Sequence, residues 1–172
     1  MKKFFCICIF LIALTVAANA ASGDIAGDYY ATDIVTTLNG ARIDAVNVGG
    51  KTLICADDMH FYSFNAWWDP EERTLRVDET AHAANGEPPQ IADSAVPSGT
   101  VIGKYYDTDI VTYINGRRIE AYNTGGRTYI PAELLADCGF DVAWDGAARR
   151  LDIVSPMRAN YVYSVPLAFE ST

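Results

Sequence analysis

The chain has 172 residues, with 13 Lys+Arg against 22 Asp+Glu and a formal net charge of −9. That balance argues against nucleic acid or anionic lipid as a partner, because counterion release needs clustered cations. No Gly-x-Ser-x-Gly elbow, His-Glu-x-x-His pair or Gly-rich phosphate loop followed by Lys and Ser or Thr occurs.

The chain opens with the positive segment Met1-Lys2-Lys3, an apolar run from Phe4 to Val16, and a small-x-small cleavage site at Ala18-Asn19-Ala20. The run is shorter than a comfortable membrane span, so residues 1–20 read as a signal peptide. The expected product is secreted or held in the cell envelope, with no membrane span in the mature chain. Losing Lys2 and Lys3 takes the formal charge to −11. Cys6 and Cys8 leave with the leader, whereas Cys55 and Cys138 remain. An oxidising compartment permits a disulfide between them, and nothing local fixes whether their Cα atoms approach closely enough.

Gly27 to Val77 then reappears without a gap at Gly103 to Ile153, shifted by 76 positions. Tyr29-Tyr30 returns as Tyr105-Tyr106, Asn39-Gly40 as Asn115-Gly116, Gly49-Gly50 as Gly125-Gly126, and Trp68-Asp69 as Trp144-Asp145. The period is longer than that of most solenoids, which favours two small domains. The expected division is a first copy over 21–78, a linker over 79–97 rich in Ala, Pro, Asp and Glu, a second copy over 98–155 and a tail over 156–172. The tail carries Tyr161-Val162-Tyr163 and Val165 to Phe169, too apolar for a solvated end.

The second copy is the easier to read. Asp109 to Ile114 and Arg117 to Tyr122 are β-prone runs around Asn115-Gly116, a pair suited to a type I′ hairpin. Gly125-Gly126 turns into a strand at Arg127 to Ile130, and Pro131 opens a brief helix with Leu134, Leu135 and Cys138 on one face. Gly139 caps that helix. Phe140, Val142 and Trp144 alternate with polar or small residues as a half-buried strand, and Asp145-Gly146 turns into a last strand ending near Val154. The expected fold class is α+β: two tandem units, each β-β-β-α-β-β, with an antiparallel sheet of about five strands packed on one short helix.

This pattern resembles the N-terminal, stalk-like domain of copper amine oxidases, which also occurs as a repeat in secreted and surface proteins of bacteria. The resemblance rests on Ile114 to Ile119, Gly125 to Pro131, Leu134-Leu135 before Cys138-Gly139-Phe140, Val142 to Asp145 and Leu151-Asp152-Ile153. It is weaker in the first copy, where Cys55 replaces the proline and Asp58-Met59 the Leu-Leu pair. In the oxidases the metal and quinone reside in a separate domain, so the resemblance implies a non-catalytic module without cofactor. Only His60 and His82 exist, where a copper site of that kind would need three histidines.

Residues shared by the copies serve a shared fold, so the differences are where binding is sought. Trp67 replaces Ala143, and Phe61 replaces Asp137, adding apolar area outside the first copy's core. Tyr30 and Tyr106 join them as candidates, with one ring of each Tyr-Tyr pair expected to pack on the sheet. No catalytic, metal or cofactor-binding residue is assigned. The Thr32-Asp33 and Thr108-Asp109 pairs fit backbone turns better than a calcium site. The expected function is a binding or scaffold module recognising an envelope polymer or an exported protein. The alternative is a small hydrolase of wall polymers using acids such as Asp57, Asp58, Asp69 or Glu71, which would have to converge in a cleft.

Overall fold

The computed structural model describes residues 23–81, 86–91 and 95–159. The first copy forms β1 (Ile25–Tyr30), β2 (Val35–Leu38), β3 (Ala41–Ile43), β4 (Ala45–Val48), β5 (Lys51–Cys55), a 3₁₀ helix over Asp57–Tyr62, β6 (Phe64–Asp69) and β7 (Thr74–Glu79). The second copy repeats the order as β8 (Val101–Tyr106), β9 (Val111–Ile114), β10 (Arg117–Ile119), β11 (Tyr122–Thr124), β12 (Arg127–Pro131), a 3₁₀ helix over Ala132–Cys138, β13 (Asp141–Asp145) and β14 (Arg150–Val154). Both Asn-Gly turns have positive φ at both positions, 55° and 84° at Asn39-Gly40 and 49° and 75° at Asn115-Gly116, as a type I′ hairpin requires. Gly139, at φ 88°, ends the second helix in the left-handed region.

The expectation of two tandem α+β units, each with its own sheet on a helix, is overturned. Six strands close an antiparallel barrel in the order β1-β4-β5-β12-β11-β8, and the other eight form two four-stranded sheets, β10-β9-β7-β6 and β13-β14-β2-β3. Each sheet joins a hairpin from one copy to a hairpin from the other through a parallel pairing, β7 with β9 and β14 with β2. The physical reason is that an isolated two-stranded hairpin is marginal and needs further strands to bury a face. Each copy supplies them to the other. The helices are short 3₁₀ segments whose Met59 and Leu135 plug a single large core, built from Leu38, Phe64 and Val77 of the first copy with Ile114, Phe140 and Ile153 of the second.

The arrangement has a pseudo-twofold axis. In β1–β8 Asp28 faces Lys104, and in β5–β12 Ile54 faces Ile130, each pair related by the repeat shift itself. Several contacts away from the axis therefore come in reciprocal pairs. Asn39 Oδ1 accepts from Ser155 N at 2.9 Å, and Asn115 Oδ1 from Glu79 N at 2.8 Å. Glu133 Oε1 accepts from Thr52 N at 2.9 Å, and Asp57 Oδ2 from Thr128 N at 2.8 Å. Arg149 pairs with Asp33 at 2.5 Å and Arg73 with Asp109 at 2.7 Å. The barrel holds a second, smaller core of Val46, Val48, Leu53, Cys55 and Tyr129, against which Tyr29, Tyr105 and Tyr122 pack. Tyr29 lies over Gly103 and Tyr105 over Gly27, where a Cβ on Gly27 would stand 2.6 Å from the Tyr105 ring. No helix among the described residues is long and apolar enough to cross a membrane.

Candidate binding surface

Strand alternation decides which side chains of the sheet β10-β9-β7-β6 meet solvent. Ile119, Ile114 and Val77 point into the core, so their neighbours point out. The register sets four outward residues side by side: Arg118 opposite Tyr113, Tyr113 beside Arg76, and Arg76 opposite Trp67. Across four strands about 4.8 Å apart this row runs about 14 Å. The Arg76 guanidinium sits over the Tyr113 ring, 4.7 Å from its centroid, a cation–π contact that ties the two neighbouring strands on this face. Trp67 at one end is 52 % exposed, and Arg118 at the other is exposed as well.

The other sheet carries Ala143, Asp152, Thr37 and Arg42 at the equivalent positions. There Asp152 Oδ1 accepts from Thr37 Oγ1 at 2.6 Å and from Arg150 Nε at 2.7 Å, closing a polar network without an aromatic ring. The pseudo-symmetry of the scaffold thus breaks on one face, which gains two aromatic rings.

Of the residues singled out from sequence, Trp67 lies in this row. Phe61 is half-buried, packs on the main core, contacts the His60 ring at 3.8 Å between centroids, and has Gly86 of the linker beside it. Tyr30 and Tyr106 sit elsewhere, on the β1–β8 ribbon, where the Asp28–Lys104 pair at 2.5 Å lies between them. The hydrogen bond to Asp28 holds the Lys104 ammonium above its ordinary pKa, with both tyrosines contributing. Tyr29 and Tyr105 supply the inward ring of each pair. The structure therefore does not bring the four candidates together.

The acids named for a hydrolase are engaged in the fold. Asp57 accepts the Thr128 amide, Asp58 pairs with Arg127, and Asp69 Oδ1 accepts the Glu71 and Glu72 amides at 2.9 and 3.0 Å, while Glu71 itself is exposed in that turn. Asp33 and Asp109, considered for calcium, face Arg149 and Arg73. Among the described residues no three His, Cys, Asp or Glu side chains gather as metal ligands. Cys55 and Cys138 are free thiols, and burial, with Asp58 nearby, pushes the Cys55 thiol up to about 12. His60 Nδ1 donates to the Asp57 carbonyl at 2.6 Å.

Sequence reading missed Arg76, Tyr113 and Arg118. The signal existed in the same comparison that exposed Trp67: Tyr113 stands where the first copy has Thr37, and Arg76 where the second has Asp152. What was missing was the β7–β9 pairing that puts these differences on one face. No family model matches the chain, and no curated protein or solved structure matches it.

Proposed function

We propose that the protein is a non-catalytic, exported binding module that holds a saccharide polymer of the cell envelope along the row Trp67–Arg76–Tyr113–Arg118. The resemblance to the stalk-like domain of copper amine oxidases belongs to the same proposal. The observation that carries it is the row itself, a line of flat aromatic and guanidinium groups on a rigid sheet, absent from the pseudo-equivalent face. Indole and phenol rings offer apolar faces to the C–H surface of a sugar ring, and guanidinium forks donate to its oxygens. The formal charge of −11 left once the leader is removed opposes a strongly anionic chain, and two guanidiniums on one face do not reverse it. A neutral or weakly charged polymer fits better.

The test is retention on purified cell walls stripped of protein. Wild type should be retained, and Trp67→Ala should weaken retention at least tenfold, the scale of a stacked aromatic anchor. Retention should change little between low and moderate salt, because stacking rather than charge carries it. Undiminished retention of Trp67→Ala would overturn the reading. Trp, Tyr and Arg are also the residues enriched at protein hot spots, which favours an exported protein as the second reading. Loss of retention on protein-stripped walls, with capture restored on untreated ones, would select it.

A further inference from the structure

The two copies open equivalent clefts where sheet and barrel part. In the first, Ile34, Ile43 and Ala45 form an apolar wall beside Thr32, Arg42 and Asp44; in the second, Ile110, Ile119 and Ala121 do so beside Thr108, Arg118 and Glu120, each displaced by the repeat shift. Their closure differs. The first encloses about 150 Å³ and is walled by two further side chains, Ile91 of the linker and Ile102 of β8, whereas the second encloses about 400 Å³ and has neither. Ile102 corresponds to Ala26, which is too small to stand in for it.

The polar groups of the open cleft already have partners. Thr108 Oγ1 accepts from Ile110 N at 3.1 Å, and Glu120 is held by Lys51 Nζ and by the Tyr122 hydroxyl, each at 2.6 Å. What the cleft lacks is apolar cover over Ile110 and Ala121, which are only partly buried against the main core.

The repeat shift carries position 91 to position 167, and the sequence has Leu167-Ala168 there where the linker has Ile91-Ala92. The match extends the duplication beyond Ile153. Ser155, just after β14, holds the place of Glu79, the last residue of β7, so as many residues lead to Leu167 as lead to Ile91. Prolines favour extended backbone in both segments, Pro88 and Pro89 before Ile91 and Pro166 before Leu167. Val165 and Phe169 flank Leu167 where the linker has Pro89 and Asp93, which supplies more apolar bulk for the larger cleft. Residues 160–172 lie outside the described chain, and the eight residues from Ala159 to Leu167 reach at most about 26–29 Å. That is well beyond the ~15 Å radius of gyration of a domain this size.

We infer that segment 165–169 docks into the second cleft, where Leu167 takes the place that Ile91 takes in the first. Each copy is then sealed by the segment that follows its own last strand, and the row from Trp67 to Arg118 ends against the docked tail. This holds whatever the row binds. NMR of the full mature chain with labelled Ile, Leu and Ala methyl groups gives the test. NOEs should connect the Leu167 methyls with those of Ile110, Ile119 or Ala121. Leu167→Asp should abolish them, shift those three signals while leaving Ile34, Ile43 and Ala45 in place, and speed amide exchange over 165–169 at least tenfold, the scale of one lost leucine contact. Ile91→Asp is the internal control, moving the first copy's methyl signals and sparing the second's. Absent NOEs, together with unmoved Ile110 and Ile119 signals in Leu167→Asp, would overturn the inference. NOEs that arise only between differently labelled chains of a mixed sample would overturn it as well, because the occupant would then be a second copy's tail.

Discussion

Replacing either orphan threonine by valine should stabilise the protein. Thr36 and Thr112 are both 1 % exposed, and neither Oγ1 has a partner among the described residues. Leaving a hydroxyl buried and unsatisfied costs about 1–3 kcal/mol in mutational terms. Valine keeps the branched shape and puts a methyl where the hydroxyl was, adding apolar contact of up to about 0.8 kcal/mol. Each variant should therefore gain about 1–3 kcal/mol, or roughly 3–8 °C in Tm for a chain of this size. The two positions lie on different sheets and share no partner, so the double variant should show nearly the sum. Urea unfolding of the folded full chain would measure it, with a higher midpoint and unchanged slope expected. A lower midpoint in either single variant would show that its hydroxyl has a partner, and would refute the reasoning.

Other outcomes follow from the interlaced pairings. Asn39→Ala removes the acceptor for the Ser155 amide and hydroxyl, both at 2.9 Å, and forces alanine to φ 55°, so it should cost about 2–4 kcal/mol in urea unfolding. Because both sheets and the barrel join the copies, that loss should appear as one cooperative transition seen equally by Trp fluorescence and far-UV CD, whereas two transitions would contradict the shared core. Burial pushes the Cys55 thiol up to about 12 and keeps it protonated at pH 8, so a thiol-specific disulfide reagent should reach it only on unfolding, after half-buried Cys138. Glu120 titrates below its ordinary range through the Lys51 hydrogen bond, so its contribution is present above the unfolded carboxylate pKa and lost as pH falls through the folded one. Lys51→Met should therefore narrow the stability gap between pH 7 and pH 3 by less than about 1 kcal/mol, the pair being half exposed.

The turns and part of the strands were legible because they are local, although the single strand expected over Arg117 to Tyr122 is broken between β10 and β11, and β1 and β8 were not foreseen. Asn115-Gly116 encodes its positive φ, Gly139 its left-handed cap, and the alternation around Phe140 its strand. Partner choice was not legible, because a strand such as β7 presents the same alternating pattern whether its neighbour comes from its own copy or the other. Only the shortness of the strands hinted that neither copy could bury both faces of a hairpin alone. The Trp68-Asp69 and Trp144-Asp145 repeats misled in a smaller way. Their aspartates do the structural work, Asp145 Oδ1 accepting the Ala147 and Ala148 amides at 2.9 and 3.0 Å, while Trp68 and Trp144 remain 41 % and 52 % exposed.

The exchange of hairpins also explains why comparing the copies residue by residue finds only part of a site. In an exchanged pair each sheet mixes one half from each copy, so a difference at Trp67 and a difference at Tyr113, 46 positions apart, fall on the same face. Had the units folded separately, those substitutions would have been scattered on two domains and each would read as incidental. A twofold scaffold imposes equal backbone on its two faces, and side chains are the only means of making them unequal. Concentrating aromatic gain on one sheet requires independent changes in both copies, at Trp67 in one and Tyr113 in the other, that make sense only after exchange. That convergence across copies is a stronger argument for a site than the exposure of any one ring.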